Sequence, residues 1–357
     1  MKSTKRLPVY LDRNENQFGP APECFEVLRR ATKNELSNYS RDFTRGVKSA
    51  LSETLAKEHG ISETHVLLSY GSEDMLKQIV HCYLGAGESI MIPQHSWWYY
   101  KSVAGEVDGK VVEYFLHADE QCFSYDLEEI TAKVRNAGPQ LLLIASPNNP
   151  TGNSLSLKDL RRLLNECAST KVIIDEAYFG FNGAASGSIP RLTLEYPNLA
   201  LLRTFSKLYA LAGVRIGYAF VGGQYSKLIA YSARYLGYNQ LSEQLALAAL
   251  QDGAYYHSLA ETTAKERERY YSFFHLVEGC RAYRSDANFI LVKLATPDVE
   301  PLKKHLEASG VFIKFFPEKE FSGHARITIG TPDQNSRLLN ALREYFVREN
   351  VLIPEFP

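Results

Sequence analysis

Short apolar runs rich in β-branched residues alternate with amphipathic stretches through the middle of the chain. Val66–Ser69, Ile90–Ile92, Leu141–Ala145, Val172–Ile174, Leu199–Leu202 and Tyr218–Val221 are such runs. Strands spaced this way by helical segments predict an α/β fold with a mostly parallel sheet flanked by crossover helices. One of those helices is explicit in the pattern. Leu157, Leu160, Leu163 and Leu164 recur at helical spacing, and Ser156 with Asp159 forms an approximate capping box before them.

Beyond about residue 240 the character changes. Long helical stretches run from Ser242 through Gln251 and from Tyr256 to about Val277, followed by short strand-like pieces at Phe289–Val292 and Arg326–Ile329. The last amphipathic stretch sets Leu338, Leu339, Leu342, Tyr345 and Phe346 on one side of a helix. This predicts a large domain over 40–240 and a smaller α+β domain made of 1–39, with an N-terminal arm, and 241–357.

Composition narrows the class. Forty basic and 41 acidic residues give a net charge of −1, which offers no general attraction to nucleic acid or an acidic membrane. The basic N-terminus runs into polar residues without the apolar stretch of a secretory signal, and apolar runs elsewhere break well short of the ~20 residues that span a bilayer. Five scattered cysteines without a CxxC pair read as reduced thiols, so a cytoplasmic location is expected.

The candidate chemistry gathers where apolar runs end. Thr204-Phe205-Ser206-Lys207 follows one run and leads into Arg215, which places an amine beside two hydroxyls and a guanidinium able to hold a phosphate. Taken alone, a lysine there is more often a solvated surface residue. Asp175 ends the preceding run with Glu176 and Tyr178 behind it, at the strand end where α/β sheets collect ligand-binding groups, although helix capping also uses aspartate. Before that stands Ser146-Pro-Asn-Asn149-Pro-Thr-Gly152, which by itself reads as a tight turn.

The order PNNPTG, IIDEAY and TFSKLYALAGVRIGY resembles the fold-type I pyridoxal-phosphate aminotransferases, and within them the histidinol-phosphate aminotransferase branch. The resemblance extends from Leu11–Asn16 to Ala325–Thr331. It implies pyridoxal 5′-phosphate bound to Lys207 as a Schiff base, with Lys207 also the proton-moving base and Asp175 paired to the pyridine nitrogen. It implies that Asn149 and Tyr178 hydrogen-bond the phenolic oxygen, and that Gly71, Ser72, Glu73, Thr204, Ser206 and Arg215 hold the phosphate. Tyr39 is expected to reach the phosphate of a neighbouring subunit, so a homodimer with shared active sites is implied. Arg326, with Asn149, is expected to bind the substrate carboxylate.

Three positions depart from the family pattern, one of them Gln17, where proline is usual. Where a cofactor-stacking tyrosine is usual, this chain has His95, with Trp97 and Trp98 as alternatives in a shifted register. Where an arginine helps bind a substrate phosphate, it has Lys314, which keeps the charge but loses the bidentate fork. Phe315 and Phe316 beside it leave room for a more apolar substrate. The expected activity is transamination between an amino acid or amino phosphate, histidinol-phosphate-like or aromatic, and a 2-oxo acid such as 2-oxoglutarate. The alternative is decarboxylation of the threonine-phosphate decarboxylase kind. A regulatory module without turnover is disfavoured, because Met1–Asn16 is too short for a DNA-binding extension and Lys207 and Asp175 are retained.

Overall fold

The computed structural model describes residues 7–183, 190–234 and 236–349. Its strands in chain order are β1 (Val9–Leu11), β2 (Val66–Ser69), β3 (Ser89–Pro93), β4 (Lys110–Tyr114), β5 (Leu116–Ala118), β6 (Phe123–Tyr125) and β7 (Leu141–Ala145). They continue with β8 (Lys171–Asp175), β9 (Leu199–Thr204), β10 (Gly217–Val221), β11 (Arg281–Tyr283), β12 (Phe289–Lys293), β13 (Val311–Phe315) and β14 (His324–Thr328). The large sheet has the order β2-β10-β9-β8-β7-β3-β4. All neighbours pair in parallel except β10, which runs antiparallel to both β2 and β9.

The apolar runs became strands because helices cover both faces of this sheet. Every residue of β7 and β9 is buried, and side chains of opposite faces fall into separate cores: Leu142 and Ile144 in one, Leu141 and Leu143 in the other. The helix Leu157–Glu166 is present, with the Ser156 hydroxyl capping the Asp159 amide at 3.1 Å. The second sheet has the order β1-β13-β14-β12-β11 and its own core, filled from the helices Gly253–His275 and Pro332–Arg348. The helix Gln240–Gln251 and the first turns of Gly253–His275 pack in the core of the large sheet, through Leu245, Ala246, Ala249 and Leu259.

This topology positions the site. In a parallel sheet the strand C-termini share one edge, so the segments after β2, β3, β7, β8 and β9 converge there. Antiparallel β10 adds its first residue to the same edge: Gly217 pairs with Thr204 on one side and Ser69 on the other. A buried ion pair, Arg203 Nε to Glu176 Oε2 at 2.8 Å, ties β9 to the end of β8, with the guanidinium 3.6 Å from the Phe179 ring centre. All five cysteines are free, and among the described residues no helix is long and apolar enough to cross a membrane.

Candidate active site

Lys207 follows β9 at the centre of the convergent edge. Among the described residues no carboxylate contacts its amine, which donates instead to the carbonyls of Arg13 at 3.3 Å and Asn14 at 3.2 Å. Burial, helped by repulsion from Arg326 and Arg215, lowers its pKa to about 8. Its Nζ lies 5.5 Å from the centre of the Tyr178 ring.

Asp175 sits one strand over, 5% exposed. Its Oδ1 accepts the Ala177 amide at 3.0 Å and its Oδ2 accepts the Tyr100 hydroxyl at 2.8 Å. Burial raises its pKa, and the Tyr100 hydrogen bond opposes that. Among the described residues no cation contacts this buried carboxylate, which is the state expected of a group kept for a protonated ring nitrogen.

The anion cradle lies between β2, β9 and β10. Gly71, at φ +94°, caps the helix Ser72–Tyr83, so the Ser72 and Glu73 amides open that helix. A Cβ on Gly71 would stand 2.7 Å from an Arg215 nitrogen, and one on Gly217 would stand 2.7 Å from the Ser72 nitrogen. Both glycines are therefore needed for the close approach. Arg215 donates to the Tyr70 carbonyl at 3.1 Å and the Ser206 hydroxyl at 3.5 Å, and Thr204 and Ser206 hydroxyls lie 3.0 Å apart.

The two asparagines of the PNNPTG turn have separate duties. Asn148 is structural, bonding Ser96, the His95 carbonyl and Thr151. Asn149 Oδ1 accepts from Arg326 at 2.5 Å, while the other Arg326 terminal nitrogen donates to the Asp12 carbonyl at 2.6 Å. Arg326 Nε is buried without a partner, a donor left over for an incoming acceptor.

Three expected residues stand apart from these contacts. The His95 ring packs on Phe321, just before β14, with centres 5.0 Å apart, and burial lowers its pKa. Trp97 packs on Tyr99 and Tyr100, so it backs the tyrosine bonded to Asp175, and Trp98 is 65% exposed. Lys314 is exposed on β13, directly opposite Arg326 in the sheet register. Tyr39 is 71% exposed just beyond the short helix Lys33–Ser37. Two contacts escaped the sequence reading. Tyr100 was hidden within a run of aromatics, and Asn14, which donates to the Tyr178 oxygen at 2.9 Å, lies 164 residues from its partner.

A phosphorylated aldehyde whose ring carries a basic nitrogen fits this donor set: an amine of lowered pKa, a buried unpaired carboxylate, and a glycine-lined cradle beside an arginine. The model of the aminotransferase class I and II family matches residues 8–342. The chain belongs to the class I and II aminotransferases. Histidinol-phosphate aminotransferases are similar along nearly the whole length. That of Staphylococcus saprophyticus is 33% identical, covering 93% of this chain and 90% of its own, and that of Ruminiclostridium cellulolyticum is 30% identical, covering 94% and 91%. The Sinorhizobium meliloti histidinol-phosphate aminotransferase structure, in complex with pyridoxal-5′-phosphate, superposes with a TM-score of 0.84 at 24% identity, over 96% of this chain and 92% of that one. The L-threonine-O-3-phosphate decarboxylase of Porphyromonas gingivalis shares the fold, with a TM-score of 0.77 at 20% identity over 95% and 99%.

The aminotransferase thus uses pyridoxal phosphate and falls in the histidinol-phosphate aminotransferase-like branch of fold type I. Because the Lys207 amine loses its proton near pH 8, covalent uptake of the cofactor by apoprotein should accelerate as pH rises through that value. An ordinary lysine would hold its proton to about pH 10.4. Stopped-flow absorbance across this range checks it, and a rate still climbing steeply above about pH 9.5 would show an unperturbed amine.

Proposed function

We propose that this aminotransferase moves an amino group between an amino acid or amino phosphate, of histidinol-phosphate-like or aromatic character, and a 2-oxo acid such as 2-oxoglutarate. The observation that carries this reading is Arg326: a buried guanidinium bonded at both terminal nitrogens, with its Nε unpartnered, near enough to Lys207 for its charge to help lower the amine's pKa. A planar donor fixed in this way suits a substrate α-carboxylate. The histidinol-phosphate aminotransferases among its relatives support the amino-phosphate side of the range. Lys314, on the Arg326 side of the small sheet, is the cation we assign to a substrate phosphate or other distal acid, and Phe315 and Phe316 supply apolar surface beside it.

The contacts support the following roles. Pyridoxal phosphate supplies an electron-withdrawing ring that stabilises negative charge at the substrate Cα. Asp175 holds the ring nitrogen protonated, and Asn149 and Tyr178 face the phenolic oxygen. Ser72, Glu73, Thr204, Ser206 and Arg215 bind the phosphate, with His95 on the ring side. Lys207, whose amine pKa is lowered to about 8, would be the base that takes up and returns the substrate Cα proton. Tyr39 is assigned to the phosphate site of a second copy. Its exposure, with Phe25, Leu28, Leu36 and Phe43 also open on the same N-terminal stretch, supports a homodimer with shared sites. We place the enzyme in the cytoplasm, and the large and small domains at 40–240 and at 1–39 with 241–357.

Adding L-glutamate to the cofactor-loaded enzyme, without a keto acid, tests the reading. Loss of the visible cofactor band with release of 2-oxoglutarate is the expected result. Release of carbon dioxide without a keto acid would assign the decarboxylase chemistry instead. Arg326→Lys is expected to raise KM for the amino donor roughly 10- to 100-fold, since a buried, charge-assisted bidentate contact becomes a single one. An unchanged KM would remove Arg326 from carboxylate binding.

A further inference from the structure

Asn14 lies on the arm just after β1, 1% exposed and in the left-handed region at φ +55°, a conformation that asparagine adopts more readily than most side chains. Its main-chain N–H donates to the Thr328 hydroxyl at 2.9 Å, and that hydroxyl returns its own proton to Asn14 Oδ1 at 3.2 Å. The amide is thereby fixed in one sense, with its nitrogen toward Tyr178. It donates to the phenol oxygen at 2.9 Å. The Asn14 carbonyl accepts from the Lys207 amine at 3.2 Å and from Asn288 at 3.1 Å. One residue therefore touches the lysine, the tyrosine and the small sheet together.

We propose that Asn14 is a positioning residue that acts through Tyr178, fixing the direction of the phenol's single proton so that Tyr178 donates it to the cofactor's phenolic oxygen. The inference rests on the reading above that Tyr178 faces that oxygen. A phenol whose oxygen already accepts from a fixed amide cannot spend its proton on the same neighbour. Burial raises the Tyr178 pKa, so the proton stays in place across the working range. An amide does not titrate, so it imposes the same direction at every pH. The charged groups around the phenol, Arg326, Asp175 and Lys207, do not supply this: the first is a donor engaged with Asn149, the second already accepts from Tyr100 and Ala177, and the amine of the third donates to the Arg13 and Asn14 carbonyls.

Asn14→Asp is the discriminating substitution. Aspartate keeps the shape, the Thr328 contact and tolerance of the left-handed backbone, but it only accepts, so the phenol proton turns toward the new carboxylate. The readouts are the pH midpoint of the visible absorbance of enzyme-bound cofactor and the dissociation constant of pyridoxal phosphate from apoprotein, neither of which needs turnover. Loss of a donor to the phenolic oxygen is expected to raise the midpoint by about one pH unit and weaken binding several-fold.

The new charge would also act directly, so the same substitution is made in a Tyr178→Phe background. There its shift is expected to fall to less than about a third. An equal shift in both backgrounds overturns the proposal, as does no shift from Asn14→Asp where Tyr178→Phe alone moves the midpoint; in both cases the reading of Tyr178 stands. No shift from Tyr178→Phe overturns that reading and the proposal with it. If Asn14→Asp does not fold, Asn14→Gly removes the amide, suits the backbone angle, and is judged by the same cycle.

Discussion

Lys207→Ala is expected to lower turnover by at least about 10³-fold, because in the proposed mechanism one side chain both carries the cofactor covalently and serves as the base. Borohydride should then fix no cofactor on the variant, whereas it labels the wild type at Lys207. The apoprotein should fold at least as well as the wild type. Among the described residues the amine is bonded to two main-chain carbonyls at 3.2 and 3.3 Å and to no carboxylate, so removing it deletes a poorly solvated cation and no ion pair seen there. A thermal melt of apoprotein, read beside a steady-state assay, separates lost chemistry from lost structure. A variant retaining a tenth or more of the wild-type rate would take Lys207 out of the reaction.

The parts of the site that were legible in the sequence are those in which a chemical group directly follows a buried strand. Asp175, Asn149, Lys207 and the Gly71 turn each stand at the end of an apolar run, and the parallel sheet carries all of them to one edge. The central strands were legible for the same reason, since residues buried on both faces must all be apolar. Strand β4 was not, because Lys110 and Val111 are exposed at the sheet edge and its pattern is mixed. The three-residue strands β1, β5, β6 and β11 are too short to show a period. Contacts set by tertiary approach alone left no local mark. Tyr100 meets Asp175 across 75 residues, and Asn14 meets Thr328 across 314. His95 shows the same limit, since its ring contact with Phe321 is made between residues far apart in the chain.

Asp175→Asn is expected to act with opposite sign on the two forms of the protein. In apoprotein the carboxylate is buried with two hydrogen-bond donors and no cation, and its pKa is raised by desolvation. A carboxyl group whose folded-state pKa lies above its unfolded value contributes stability at low pH that is lost as pH rises through the folded pKa. At pH 7 the ionised group is therefore a burden on the apoprotein. The isosteric amide removes that burden, so the Asp175→Asn apoprotein should melt higher than the wild type at neutral pH, with the difference shrinking toward pH 4. In the cofactor-loaded enzyme the order reverses. On the pairing proposed above, the carboxylate would gain a protonated ring nitrogen there, and an amide in its place would lose an ion pair in a site of low polarity. Cofactor affinity should fall roughly 10- to 100-fold. Turnover should fall by roughly 10²- to 10⁴-fold, since a neutral ring withdraws electrons poorly. Attachment at Lys207 should persist, because the amine and the phosphate cradle are untouched. Melting curves of both proteins, with and without pyridoxal phosphate, decide the matter. If the substitution destabilises the apoprotein and the loaded enzyme alike, Asp175 is a structural group held by Tyr100 and Ala177, and its pairing with the cofactor is refuted.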